Sequence, residues 1–435
     1  PVLRLLLASV LALVMLILTG GGMRSQAASG FWRGTYSNIW NRDDNWIPAG
    51  YPNAAGEVAF FDGGDVPTDV VISSTQVTVG GIVIFNNTSY LISGENGGSI
   101  RFQSTSSYPA NVFAWGQTDH EISAPIQLAS DLSITNYASG ELTFSGDIGQ
   151  IPGSDFSVNI REGRPIVFLG NNVYAEGTKI RGGTLLLGNN HAAGSGPIEF
   201  LCLTDPCYTT DVPSSLGTYN GNLVLQNPLV INHSYVQFVG SDSISVASLD
   251  SSIPTSARVV IEGTLNLAKL QDPTYGRNLR RSGSGTLNLN ITPQGTNIGA
   301  FIRSDPGSGQ MNLYGSGRIG RIYYRDGSGG GVIGVGDTLN VVTGELTRST
   351  GILTVTGVLQ TGTNTPGQPD RVLSFDLRGT EPGSGYDQIV ITELPLDGIV
   401  STAQITDTVL SVAVDPGFRP PVGTEFTLIS RTGGD

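Results

Sequence analysis

The chain has 435 residues, and glycine and proline together make up roughly 19% of them, a density of helix breakers that excludes helical bundles and coiled coils. Hydrophobic residues reach 39% while charged residues stop at 14%, which leaves enough apolar side chains for a sizeable core and excludes wholesale disorder. The net charge is −13, with no basic run along the chain, so nucleic acid and anionic lipid surfaces are excluded as expected partners.

Residues 5–18 read LLLASVLALVMLIL, preceded by Arg4 and followed by Gly20-Gly21-Gly22 and by Ser25-Gln26-Ala27. A short apolar run with small residues before a cut site is the pattern of a secretory signal peptide, here cleaved after Ala27. It is too short for a spanning helix, which needs about 20 apolar residues. The expected compartment is therefore extracellular or the outer cell surface, with no membrane span in the mature region. The chain opens on Pro1 rather than Met, so the expectation is a fragment that lacks its start.

Trp32, Trp40 and Trp46 follow within a short stretch, and the remaining tryptophan is Trp115. Two readings stand side by side. The rings either plug the end of a stacked β-structure, whose first edge needs cover, or form a platform on which sugar rings stack. Next, Asp62, Asp65 and Asp69 share one Gly-rich loop. Oxygen clusters suit hard cations, but the loop lacks a twelve-residue Ca²⁺ pattern, so the three are weak metal candidates beside the reading as an acidic turn.

Beyond residue 50 the sequence is a series of short strands separated by Gly, Asn, Asp and Ser. Four segments share a phase, with Leu265-Asn266-Leu267, Leu287-Asn288-Leu289, Met311-Asn312-Leu313 and Leu339-Asn340-Val341 at their centres. A recurrence of 20–25 residues with one strand motif per period marks a solenoid whose units share a core. Period-2 alternation sends Leu265, Leu287, Met311 and Leu339 into the lumen and the four asparagines outward, as a ladder between rungs or as a polar stripe. The expected fold is all-β, a right-handed parallel β-helix with an aromatic N-terminal cap. About 14–18 rungs spaced by about 4.8 Å give a particle about 65–85 Å long.

Cys202 and Cys207 are the two cysteines, separated by residues that include Asp205-Pro206. In an exported chain they are expected to form a local disulfide, in an insertion between rungs near 201–217. Arg277, Arg280 and Arg281 make a basic patch on an acidic molecule, read as a solvated turn or as a contact for an acidic glycan. His120, His191 and His233 are scattered, and no catalytic, nucleotide or cofactor motif is present. The expectation is a protein without catalytic residues or cofactor. The enzyme alternative, a polysaccharide lyase or glycoside hydrolase, would need clustered carboxylates, and Asp242, Asp250, Glu262 and Asp272 are the nearest in sequence.

Three segments carry a resemblance. Residues 168–198, with Gly170, Asn172, Tyr174, Gly177, Thr178, Ile180, Gly182-Gly183-Thr184-Leu185 and Gly194-Ser195-Gly196, resemble the autotransporter-associated β-strand repeat. Trp32, Trp40, Asn45-Trp46, Pro52 and Phe60-Phe61 are similar to the opening of large secreted bacterial proteins built from such repeats. Leu373–Leu377, Gly383–Ile391 and Pro421–Ile429 resemble the last rungs of an autotransporter passenger. The resemblance implies a bacterial surface or secreted passenger-type β-helix, structural or adhesive, whose partners are surface glycans or other cell-surface proteins. The layout that follows is a signal peptide over 1–27, a cap and first rungs over 28–105, rungs over 106–370, and terminal passenger-like rungs over 371–435. No translocator barrel follows in the sequence, so a truncated C-terminus or another export route is expected.

Overall fold

In the computed structural model the chain winds as a three-walled parallel β-helix. The structure describes residues 29–63, 66–202, 212–251, 256–271, 278–292, 301–362, 371–393 and 401–432. Among the described residues the first wall has 12 strands and the second 14. The third is divided into a 4-stranded and an 8-stranded sheet, and a further 4-stranded sheet takes the first wall's place in the last rungs. The longest wall thus lies at the lower end of the expected rung count. Within these walls the strands pair in parallel, apart from the antiparallel contact of Trp46–Ile47 with Gly30–Trp32.

Sequence period sets this register. Leu223, Ile244, Leu265, Leu287 and Met311 are successive partners, and Leu225, Val246, Leu267, Leu289 and Leu313 run beside them. All ten are buried, because alternate residues of a strand face the lumen. Large rings also pack in the lumen, with Phe144 against Phe168 at 5.5 Å and Phe200 against Phe238 at 5.7 Å. On the outer side Asn288 Nδ2 donates to Asn266 Oδ1 (2.7 Å) and Asn312 Nδ2 donates to Asn288 Oδ1 (2.8 Å). Asn266 Nδ2 donates to Ser245 Oγ (3.0 Å), and Asn312 Oδ1 accepts the backbone N–H of Val332 (3.0 Å). Asn266, Asn288 and Asn312 thus form a ladder in which each amide donates to the rung before it.

The fourth segment departs from the expected columns. The wall strand of that rung is Gly331–Val335, with Ile333 opposite Leu313, so the chain has left the wall before Leu339. Thr338–Leu339 pairs antiparallel with Leu346–Thr347 in a hairpin. Asn340 serves the hairpin turn, accepting N–H bonds from Val342 (3.0 Å) and Thr343 (3.1 Å).

The segment with the repeat resemblance shows what its polar positions do. Asn172 Oδ1 accepts the N–H of Ile148 one rung earlier (2.8 Å), and its Nδ2 donates to Ala192 O one rung later (2.5 Å). The buried Tyr174 hydroxyl meets Thr178 Oγ1 at 2.6 Å. Small residues are needed where corners stack. At Gly116 φ is +143°, and a Cβ there would run into the carbonyl of Asn86.

The insertion is shorter than its expected span, since Ser214–Thr218 is already a strand of the second wall, paired with Thr184–Leu187 and with the strand that begins at Tyr235. At the far end the strand Thr408–Val414 leaves Leu410 56% and Val414 50% exposed, although they continue the columns of Leu373 and Leu377.

Candidate functional surfaces

The three tryptophans sit at the first rung and are at most 2% exposed. Trp46 packs edge-on against Trp32 (5.2 Å) and Trp40 (4.9 Å), and all three surround Phe61. Each indole N–H donates to a carbonyl: Trp32 to Pro67 (2.8 Å), Trp40 to Pro52 (3.3 Å) and Trp46 to Trp40 (2.7 Å). Asn45, wholly buried, ties the loop by accepting from Tyr36 and Ser37 and donating to Ile39 O. No face of these rings is left for a sugar.

Of the acidic loop, Asp62 pairs with Arg33 at 2.7 Å. Asp69 is exposed at the start of a strand and stands opposite Leu91. Asp65 lies outside the described residues. Among the described residues no group of three His, Cys, Asp or Glu is arranged to hold a metal ion. Cys202 is 8% exposed, its Sγ 3.6 Å from the Asn232 carbonyl. Cys207 lies outside the described residues, and the expected pairing with it. Residues 1–28, with the expected signal peptide, lie outside them too. No helix among the described residues is long and apolar enough to cross a membrane.

Of the four carboxylates named from sequence spacing, the described side chains are those of Asp242 and Glu262. Asp242 accepts from Thr218 Oγ1 and the Gly221 N–H (3.1 Å each), and Glu262 accepts from the Gly240 N–H at 3.2 Å. Both act as corner brackets; the side chains of Asp250 and Asp272 lie outside the described residues. His191 is exposed in a turn. His120 is buried, its Nδ1 accepting the Tyr90 N–H (3.3 Å), and burial holds its pKa below the usual range.

A different carboxylate cluster lies near the C-terminal rungs. Asp337, Asp376 and Asp387 are 2%, 4% and 1% exposed. Asp376 pairs with Arg348 (2.8 Å) and Arg378 (2.9 Å). Asp387 Oδ1 accepts the Gly351 N–H (2.7 Å) and Oδ2 accepts the Asp376 N–H (2.6 Å). Burial pushes Asp387 up to about 7 against these two bonds, and the Asp376 and Asp337 charges add to the rise. Burial also raises Asp337, whose Oδ1 has no hydrogen-bond partner among the described residues. A shallow groove lined by Ser316, Arg318, Thr350, Gly351, Ile352 and Thr354 runs beside the cluster. Nothing in the sequence spacing marks these three residues, which come from two loops and a wall strand.

The outer face of the first wall is aromatic where it leaves the cap. Phe31 stacks on Phe60 (4.8 Å, 17°), Phe85 on Trp115 (6.1 Å, 20°), and Tyr137 meets Phe113 and Trp115 edge-on. Trp115 is 47% and Tyr137 40% exposed. Tyr137 donates to Glu162 Oε1 (2.8 Å), and its hydroxyl is pushed up to about 12, by burial first and then by that carboxylate. No family model, no curated protein and no solved structure matches this chain.

The sequence's arginine patch is divided by the strand's alternation. Arg280 faces outward, while Arg281 is wholly buried in the lumen, donating to Gly309 O (2.6 Å) and to Gly285 O. Burial pulls the Arg281 guanidinium down to about 10, opposed by Tyr324, so it stays charged at neutral pH. Arg277 lies outside the described residues.

Proposed function

We propose that the chain is an exported, surface or extracellular passenger-type β-helix that acts as a structural and adhesive element rather than as a catalyst. The signal-peptide pattern supports export, and the repeat resemblance supports the passenger type. The observation that carries adhesion is the exposed aromatic strip around Trp115 and Tyr137. Flat rings held by a rigid wall offer the apolar faces on which sugars stack, at little cost in side-chain entropy. Surface glycans are the partners this strip suits.

The test is retention of purified protein on immobilised neutral polysaccharides, with Trp115→Ala beside the unaltered chain. Retention that falls at least tenfold in the variant, with unchanged circular dichroism, is expected. Equal retention of both proteins, or none by either, rejects the strip as the adhesive surface.

A second reading, a polysaccharide-cleaving enzyme, is favoured by the raised pKa of Asp387 beside a groove. It stands second because both Asp387 oxygens already accept backbone N–H bonds and the side chain is 1% exposed. Release of reducing or unsaturated ends from pectin or alginate, lost in Asp387→Asn, would put this reading first.

A further inference from the structure

Three outward residues of consecutive second-wall strands are arginines. Arg258 stands opposite Arg280, and Arg280 opposite Arg303. Tyr235 precedes them in the same column and Tyr323 follows. Their strand neighbours Val259, Ile302 and Ile322 are buried in the lumen, so alternation turns the column to the outside.

Like charges directly opposite each other in a sheet are destabilising, and these three repeat at the strand spacing of about 4.8 Å. One carboxylate is shared among the neighbours: Asp305 meets Arg303 at 2.8 Å, Arg280 at 3.1 Å and Arg325 at 3.8 Å. Arg258 lies over the Tyr235 ring (5.2 Å) and donates to Ser282 Oγ (3.2 Å). Three guanidiniums therefore share one carboxylate, with Arg258 next in the column, on a chain whose net charge is −13. The side chains of Arg280 and Arg325 remain 42% and 45% exposed. Asp305 holds part of this comb in place, so the ordering cost of binding is already met in part.

We infer that this column binds an acidic polysaccharide whose chain runs along the helix axis. The guanidinium fork matches a carboxylate or sulfate with two parallel N–H bonds. A strand spacing close to the length of one sugar unit lets successive acid groups meet successive arginines. The negative charge of the remaining surface repels a long, densely charged nucleic acid. This inference rests on the adhesive reading and names a partner for it at a second surface.

The experiment titrates the whole protein with oligogalacturonate at low and moderate salt, following heat release. Arg280→Gln with Arg303→Gln should weaken binding at least tenfold and flatten its salt dependence. Arg280→Lys with Arg303→Lys, which keeps the charge and loses the fork, should fall between. Arg42→Gln, at the cap, and Trp115→Ala should bind like the unaltered chain, and circular dichroism reports the fold of every variant. Absence of binding by the unaltered chain overturns the inference. So does equal binding by the Gln pair, or tighter binding of single-stranded DNA through the same arginines. Loss in Trp115→Ala alone would move acidic-glycan binding to the aromatic strip, whereas failure of the neutral-glycan test leaves this titration to be read independently.

Discussion

Leu287 and Asn288 are neighbours on one strand with opposite environments, so one charge placed at each in turn weighs the two faces of the wall. Leu287 is 1% exposed between Leu265 and Met311. Leu287→Asp forfeits the burial of a leucine, about 2–3 kcal/mol, and sets a carboxylate in an apolar column, which costs several more. The sum is about 5 kcal/mol or more. Asn288→Asp keeps the bond accepted from Asn312 and loses the one donated to Asn266, a loss of about 1–2 kcal/mol. Stacked repeats unfold in segments, so urea midpoints should be read beside hydrogen exchange over Thr286–Ile291 and Met311–Gly315. A large drop with local loss of protection is expected for Leu287→Asp and a small one for Asn288→Asp. Equal losses would refute the assignment of the two faces.

Trp46→Ala should destabilise the first rungs by about 3–5 kcal/mol, because the ring is 2% exposed and bonded to the Trp40 carbonyl; near-ultraviolet circular dichroism and exchange over Val58–Phe61 report it, and unchanged protection there would contradict the plug. Asp387 titrates at about 7 in the fold, above its ordinary 3.8, so the folded state holds its proton longer and the stabilisation present at low pH is lost as pH rises from about 4 to 7. From 3.8 to about 7 the loss is at most about 4 kcal/mol, shared with Asp337 and opposed by Arg348 and Arg378 across the cluster. Protection of Gln388–Thr392, corrected for intrinsic exchange, should therefore fall between pH 5 and pH 8, and Asp387→Asn should flatten that slope; a slope of the opposite sign would contradict it.

The solenoid was legible because one strand motif recurs with a period close to one rung, so Leu265, Leu287 and Met311 fall into one column together with their asparagines. The same motif misplaces Leu339 and Asn340, since a hairpin can carry the alternation of a wall strand without joining the wall. The tryptophan cluster was legible as a group, and only its burial separates a plug from a platform. Of the surfaces proposed for binding, only Arg280 was legible, in the patch read as a solvated turn or an acidic-glycan contact. Trp115 and Tyr137 approach across the first wall, and Arg258, Arg280 and Arg303 come from three rungs. Arg281 breaks the pattern that would have revealed the arginine column, because it is a charge on the lumen face, where composition leads one to expect an aliphatic residue.

The parallel register itself is open to one chemical measurement. Asn266 and Asn288 are direct partners on adjacent strands, and Asn288 is in turn the partner of Asn312. Strand neighbours lie about 4.8 Å apart, within the Cα separation a disulfide spans, and second neighbours about twice that, beyond it. Asn266→Cys with Asn288→Cys should oxidise to a cross-link found by peptide mass mapping, and Asn266→Cys with Asn312→Cys should not. Cross-linking of the second pair in place of the first would contradict the stacked β-helix and the surfaces that depend on it.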